Sequence, residues 1–175
     1  QQYETLKLEK ERLAMFDSIT GLLNSGAVQH KIGEILVSGK GLGSAMLVID
    51  VDNLKTINDS FGHQAGTTAI CSVSNSLKKM FQATAILGRY GGDEFVVFLE
   101  GFDEGREQLA EKLQSVLQEI SSQKIIEQND LKVTCTIGVA FATEETKRFE
   151  TLFMRADKAL YQAKQKGKNT YLFYE

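Results

Sequence analysis

The stretch AILGRYGGDEFVVFL, residues 85–99, decides the fold: two short apolar runs, Ala85–Arg89 and Phe95–Leu99, flank Tyr90-Gly91-Gly92-Asp93-Glu94. That layout predicts a β-hairpin whose glycines supply the turn. Upstream, Ala45-Met46-Leu47-Val48-Ile49 is a continuous apolar run ending at Asp50-Val51-Asp52, as expected of a strand buried on both faces. Gly39, Gly41 and Gly43 mark a loop before it, and residues 53–59 read as a polar stretch leading to Gly62-His63. Helices are predicted over about Ser25–Val37, Ala65–Phe81, Glu104–Ser121 and Phe149–Lys166, with further strands over Lys132–Phe141 and Thr170–Tyr174. Helical crossovers combined with one tight hairpin imply an α+β fold, an α/β sandwich with a mixed central sheet and helices on its faces. Proline is absent, so glycine alone punctuates the chain.

A chain of 175 residues is long enough for one domain with a real core, and 42% hydrophobic with 25% charged residues is ordinary for a globular protein. No apolar run approaches the ~20 residues that cross a bilayer, and the N-terminus is not signal-like, so a cytoplasmic location is expected. A net charge of −3 argues against a broad nucleic-acid-binding face but leaves room for a small basic phosphate site. Cys71 and Cys135 lack metal-ligand spacing and read as small core residues in a reducing compartment. Residues 1–15 form a charged, helix-prone segment in which Leu6 and Leu13 lie one heptad apart, extended by Tyr3 and Phe16 and interrupted by Lys10. Two readings stay open for it: a helix packed on its own domain, or a stalk from an upstream regulatory domain since removed. Residues 16–175 form the domain proper.

Asp50 and Asp52 close one predicted core strand; Asp93 and Glu94 sit at the tip of the hairpin. Singly, such carboxylates are ordinary turn residues. If the two strands are neighbours, the acidic groups converge on one edge, and a hard divalent cation relieves that crowding. Magnesium takes one or two carboxylates and leaves its other positions to water and phosphates. Lys55 follows the first cluster, while Lys164, Lys166 and Lys168 end the last helix; they suit either a helix C-terminus or an anionic substrate. There is no GxxxxGK[ST] loop and no Gly-x-Ser-x-Gly elbow, and two histidines give little support to a zinc hydrolase. These residues point to a two-carboxylate, Mg²⁺-dependent nucleotide site.

In these motifs the chain resembles the GGDEF domain, the diguanylate cyclase family. Arg89-Tyr90-Gly91-Gly92-Asp93-Glu94-Phe95 matches the family signature, and Asp17-Ser18-Ile19-Thr20-Gly21-Leu22-Leu23-Asn24 is similar to its opening D-x-L-T-G-L-x-N. Residues 50–59 resemble D-x-D-x-F-K-x-I-N-D, and Gly62-His63-Gln64-Ala65-Gly66 continues as G-H-x-x-G. Ala156-Asp157-Lys158-Ala159-Leu160-Tyr161-Gln162-Ala163-Lys164 matches A-D-x-A-L-Y-x-A-K, followed by Gly167-Lys168-Asn169. The resemblance implies a palm-like fold related to class III nucleotide cyclases, in the bacterial cytoplasm. It implies condensation of two nucleoside triphosphates into a cyclic dinucleotide, with pyrophosphate released between two facing domains of a homodimer. By position, Asp50, the Val51 carbonyl, Asp93 and Glu94 would hold Mg²⁺ or Mn²⁺, and Asp93 or Glu94 would help deprotonate the 3′-hydroxyl. Asn53, Leu54, Lys55, Lys164 and Lys168 would contact phosphates, and Asn58 and Thr67 the base. Asp17, Asn24 and His63 are expected to shape loops.

Thr67 departs from the family's usual aspartate. A carboxylate accepts well from the adjacent N1–H and N2 amino group of guanine, whereas adenine presents a lone pair at N1; a hydroxyl tolerates either edge. The substitution resembles a subgroup that accepts ATP beside GTP and makes cyclic GMP-AMP. The expectation is therefore a hybrid enzyme forming cyclic GMP-AMP and cyclic di-GMP, with a GTP-specific diguanylate cyclase as the alternative and a nucleotide-binding module without turnover as a third reading. The family's inhibitory Arg-x-x-Asp is absent, its positions being held by Gln82 and Ala85. Ser25 and Leu54 replace the usual arginine and phenylalanine, altering the pocket walls.

Overall fold

A computed structural model describes residues 2–81, 83, 85–102, 105–126 and 130–175. Its elements are α1 (Gln2–Met15), α2 (Ser25–Val37), β1 (Ala45–Val51), α3 (Leu54–Phe61), α4 (His63–Phe81), β2 (Ala85–Arg89), β3 (Glu94–Leu99), α5 (Gly105–Ser122), β4 (Lys124–Ile126), β5 (Leu131–Lys132), β6 (Cys135–Phe141), α6 (Phe149–Gln165) and β7 (Tyr171–Phe173). Five strands form one sheet in the order β2-β3-β1-β6-β7. Strand β1 is antiparallel to both β3 and β6, β2 is antiparallel to β3, and β7 runs parallel to β6. The mixed sheet and the β2–β3 hairpin expected from the sequence are both present. No helix among the described residues is long and apolar enough to cross a membrane.

Every residue of β1 is buried, because alternate side chains enter different layers. Leu47, Ile49 and Val51 pack with α4 and α5, while Met46 and Val48 pack with α2 and α6. The same parity runs along β3, whose Phe95, Val97 and Leu99 join the first layer and Val96 and Phe98 the second. Helix α6 seats directly on β6 at Gly138, where an added Cβ would collide with the Ala156 carbonyl and the Leu160 amide. Gly88 plays the same part for α2, against Val28.

The segment 16–24 is stitched together by two side chains. Asp17 accepts hydrogen bonds from the Thr20 amide at 2.8 Å and hydroxyl at 2.7 Å, and pairs with Arg89 at 3.2 Å. Asn24 caps α2 through the Ala27 amide and donates to the Ala14 carbonyl, tying the end of α1 to the domain. Burial pushes the Asp17 carboxyl up, but the Thr20 hydrogen bonds and Arg89 outweigh it and hold the group below the usual 3.8.

Several expectations need correction. Residues 54–61 are helical: Leu54, Ile57 and Phe61 recur at helical spacing inside a run that otherwise reads as polar, and packing against α4 stabilises so short a helix. The strand expected from Lys132 begins at Cys135, because Lys132 pairs with Lys124 in the separate β4–β5 ribbon. Cys71 is only half-buried, while Cys135 is fully buried. The expected α5 start at Glu104 lies outside the described residues, as does Gln82. Residues 3–15 of helix α1 are exposed, with Tyr3, Leu6 and Leu13 among its uncovered apolar residues.

Gly138→Ala is expected to destabilise the domain by about 3 kcal/mol, since backbone on both sides must separate, measured by urea denaturation. Asp17→Asn should be less stable than the parent at neutral pH. Because the folded-state pKa of Asp17 is depressed, its contribution is present above about pH 4 and fades as pH falls through the folded value. Denaturation curves of the two proteins should therefore converge in acid, and a gap that is independent of pH would contradict the role of the charge.

Candidate active site

The β1–β3 register sets Asp50 directly opposite Glu94. Both belong to the parity that faces α2 and α6, so two carboxylates share one side of the sheet at its edge. Like charges placed opposite one another repel. Asp93 lies in the exposed turn just before Glu94, and its carbonyl accepts the Val51 amide at 2.9 Å, which docks the turn on the end of β1. Tyr90 and Gly91 both donate their amides to the Glu94 carbonyl, closing the hairpin.

Lys164, in the last turn of α6, supplies the nearest positive charge. Its ammonium pairs with Asp50 Oδ2, whereas Oδ1 of the same carboxylate is buried and has no hydrogen-bond partner. Burial raises the Asp50 pKa; Lys164 opposes that shift and neighbouring Asp93 adds to it. For Glu94, burial comes first, and repulsion from Asp157, Asp50 and Asp93 pushes the carboxyl to about 7. Burial works against the Lys164 ammonium, but its hydrogen bond to Asp50 and the surrounding acidic groups prevail and raise its pKa.

Hard oxygen ligands suit Mg²⁺ or Mn²⁺, and the unpartnered Asp50 oxygen is the feature that fits such an ion. Among the described residues, no three acidic, imidazole or thiol groups close into a cage.

Asn53, in left-handed conformation with φ 56°, precedes the start of α3 at Leu54. The first amides of a helix have no acceptor within it, so Asn53-Leu54-Lys55 presents free N–H groups together with an exposed lysine. Lys168 reaches the same place, donating to Asn53 Oδ1 at 2.7 Å. Asn58 and Thr67 line one cavity of about 250 Å³ with Leu54, Gly66, Arg89 and Gly92. Thus the two residues expected at a base sit beside the signature turn. Gly66 is required there, because a Cβ would overlap the Asn58 amide. The Thr67 hydroxyl donates to the His63 carbonyl at 3.1 Å, one turn earlier, so towards the cavity it offers lone pairs. His63 itself is exposed at the start of α4. A larger concavity of about 620 Å³ lies between α2 and the start of α6, and none of the carboxylates Asp50, Asp93 or Glu94 lines it.

Asp52, grouped with Asp50 in the sequence, turns away from this cluster. Its carboxylate accepts from Thr134 and Thr136, each at 2.7 Å, and from the Asn169 amide at 3.1 Å. It is therefore a buried clamp on the turn that carries Lys168. Asp157 acts on Glu94 although the spacing of acidic residues gives no hint of it; only its place in the A-D-x-A-L-Y-x-A-K match marks it.

The family model described as "Diguanylate cyclase, GGDEF domain" matches residues 14–170. The chain is 33% identical over 172 residues to diguanylate cyclase DgcS of Shewanella oneidensis, covering 97% of this chain and 55% of that protein. It is equally, 33%, identical over 175 residues to cyclic di-GMP phosphodiesterase PdeB of the same species, covering 99% of this chain and 20% of that one. The chain thus spans about half or less of the curated relatives it matches. Among solved structures, the coiled coil and GGDEF domain of DgcB from Caulobacter crescentus, in complex with c-di-GMP, superposes with a TM-score of 0.87 at 25% identity, covering 98% of this chain and 93% of that one. With the match running almost end to end and carried by the turn that bears Asp93 and Glu94, the chain belongs to the GGDEF domain family of diguanylate cyclases.

Proposed function

We propose that this domain condenses two GTP into cyclic di-GMP with release of pyrophosphate, as half of a homodimer whose two sites face each other. The observation that carries this reading is the half-paired Asp50 carboxylate beside the Asp93–Glu94 turn, adjoining the cavity of Asn58 and Thr67. In this reading the α3 amides and Lys55, Lys164 and Lys168 hold the triphosphate, while Asn58 and Thr67 orient the base. Asp50, the Val51 carbonyl, Asp93 and Glu94 would hold Mg²⁺ or Mn²⁺, which supplies charge stabilisation to the attacking and phosphoryl oxygens. Either Asp93 or Glu94, at the tip of the hairpin, would take the 3′-hydroxyl proton. The 3′-oxygen then bonds to the α-phosphorus held by the facing domain, the bond to pyrophosphate breaks, and a second such step closes the ring. The site lies in the bacterial cytoplasm, where nucleoside triphosphates are supplied.

The hybrid product expected from Thr67 finds less support than the GTP-specific alternative. Relatives of this chain are named diguanylate cyclases. The physical reason lies in the Thr67 hydroxyl, whose hydrogen is committed to His63. An oxygen that only accepts suits the N1–H and N2 amino donors of guanine and opposes the N1 lone pair of adenine. A second reading, a nucleotide-binding module without turnover, is favoured by the equal identity to a protein named as a phosphodiesterase. With Gln82 and Ala85 at the inhibitory positions, neither a guanidinium nor a carboxylate is available there to bind product.

Asp93→Ala should lower cyclic di-GMP formation at least about 10²-fold while leaving the melting temperature unchanged, since Asp93 is exposed. Mass spectrometry and thermal unfolding check the two halves, and undiminished product would refute the acidic site. Nucleotide binding by calorimetry with no turnover in a forced dimer of the parent would support the module instead. With GTP and ATP at equal concentration, cyclic di-GMP should dominate; predominant cyclic GMP-AMP would restore the hybrid reading. Thr67→Val should raise KM for GTP about tenfold by removing the acceptor, whereas Thr67→Asp should not raise it.

A further inference from the structure

Asp50 is 8% exposed, yet only one of its oxygens is matched, by Lys164, and the other is buried without a partner. Asp93 and Glu94 add negative charge around the same point, since Glu94 stands directly opposite Asp50 across the β1–β3 pair and Asp93 precedes it in the turn. The lysine cannot retreat far. Its backbone belongs to the last turn of α6, and that helix is seated on β6 through the close approach at Gly138. Only the flexible four-carbon stem can move, so the ammonium stays within a side chain's reach of Asp50.

A divalent ion bound to Asp50 would therefore meet the ammonium at the same carboxylate. Even on separate oxygens, two cations on one buried anion repel, so each weakens the other's hold. The phosphates of an incoming nucleotide would offer Lys164 another anion within reach. Lys168 and the α3 amides already converge on that side of the site, around Asn53.

We propose that Lys164 is a resident counter-ion that competes with the divalent cation for Asp50 and yields only when phosphate receives it, so that metal and nucleotide bind as a coupled pair. This rests on the nucleotide- and metal-binding reading above, and it gives Lys164 a second duty besides contacting phosphate. Coupling is reciprocal: a nucleotide that draws Lys164 away tightens the metal, and the metal, by displacing Lys164, tightens the nucleotide. Metal alone should bind weakly because it must evict the lysine unaided.

The test titrates nucleotide-free protein with Mn²⁺, following free Mn²⁺ by electron paramagnetic resonance, in the parent, in Lys164→Met and in Lys164→Gln. Both variants keep much of the stem and lose the charge. They should bind Mn²⁺ about tenfold more tightly than the parent, the size of an ordinary coupling between two ligands. Thermal unfolding supplies a second readout: each variant should melt lower than the parent without metal and gain more from Mn²⁺ than the parent does. A lysine with only a packing role would not produce that metal-dependent rescue. Adding Asp50→Asn to Lys164→Met should remove the gain. Equal or weaker Mn²⁺ binding in both single variants, or a gain that survives Asp50→Asn, would overturn the proposal. A parallel titration with GTP and Mg²⁺ separates the two claims, since failure of the parent to bind GTP would count against the cyclase reading, whereas the Mn²⁺ comparison judges the competition at Asp50.

Discussion

The domain depends on the register of β1 between β3 and β6. A strand with both faces buried must place its residues without error, because a slip of one position would turn every side chain into the wrong layer. With Ile49 opposite Phe95, the next pair is Asp50 and Glu94, and both carboxylates fall on the α6 side of the sheet. The acidic edge is thus a by-product of core packing. Register is held by apolar contacts along the strands and exploited at their end.

Helix α6 supplies the counter-charge for the same reason. Gly138 lets it lie directly on β6, and its apolar face, including Leu152, Ala156 and Leu160, fills the layer above Met46 and Val48. That placement brings Lys164 onto Asp50, 114 residues away in the chain. Around this pair, two further devices fix the site's rim. Asp52 binds Thr134, Thr136 and Asn169 together, and Asp17 and Gly92 both hold Arg89 beside the signature turn. The charges left incompletely balanced, at Asp50 and Glu94, lie between these braces.

Much of this architecture is written in local patterns. The bounds of α2 and β2 agree with their amphipathic and apolar runs, because periodicity reflects burial directly. Helix α3 is harder to read: it is eight residues long, its apolar stripe is only Leu54, Ile57 and Phe61, and contact with α4 stabilises a helix too short to persist alone. The β4–β5 ribbon escapes too, since strands of three and two residues carry no alternation worth the name. Helix α3 matters to the site, because its first amides open beside Asn53, where Lys168 also arrives.

At the Asp93–Glu94 turn the sequence by itself determined the residue types, the hairpin and the family, because these are local and travel with the motif. It also marked Thr67 as a departure from the family's usual aspartate. Which way that hydroxyl points, which of Asp50 and Asp52 stays open to a ligand, and which lysine stands on the carboxylate were decided only by tertiary structure. Those outcomes depend on strand parity, on helix seating and on hydrogen-bond partners far away in sequence. Charge and donor direction at a point in space are sums over everything packed around it, and no single stretch of chain contains that sum.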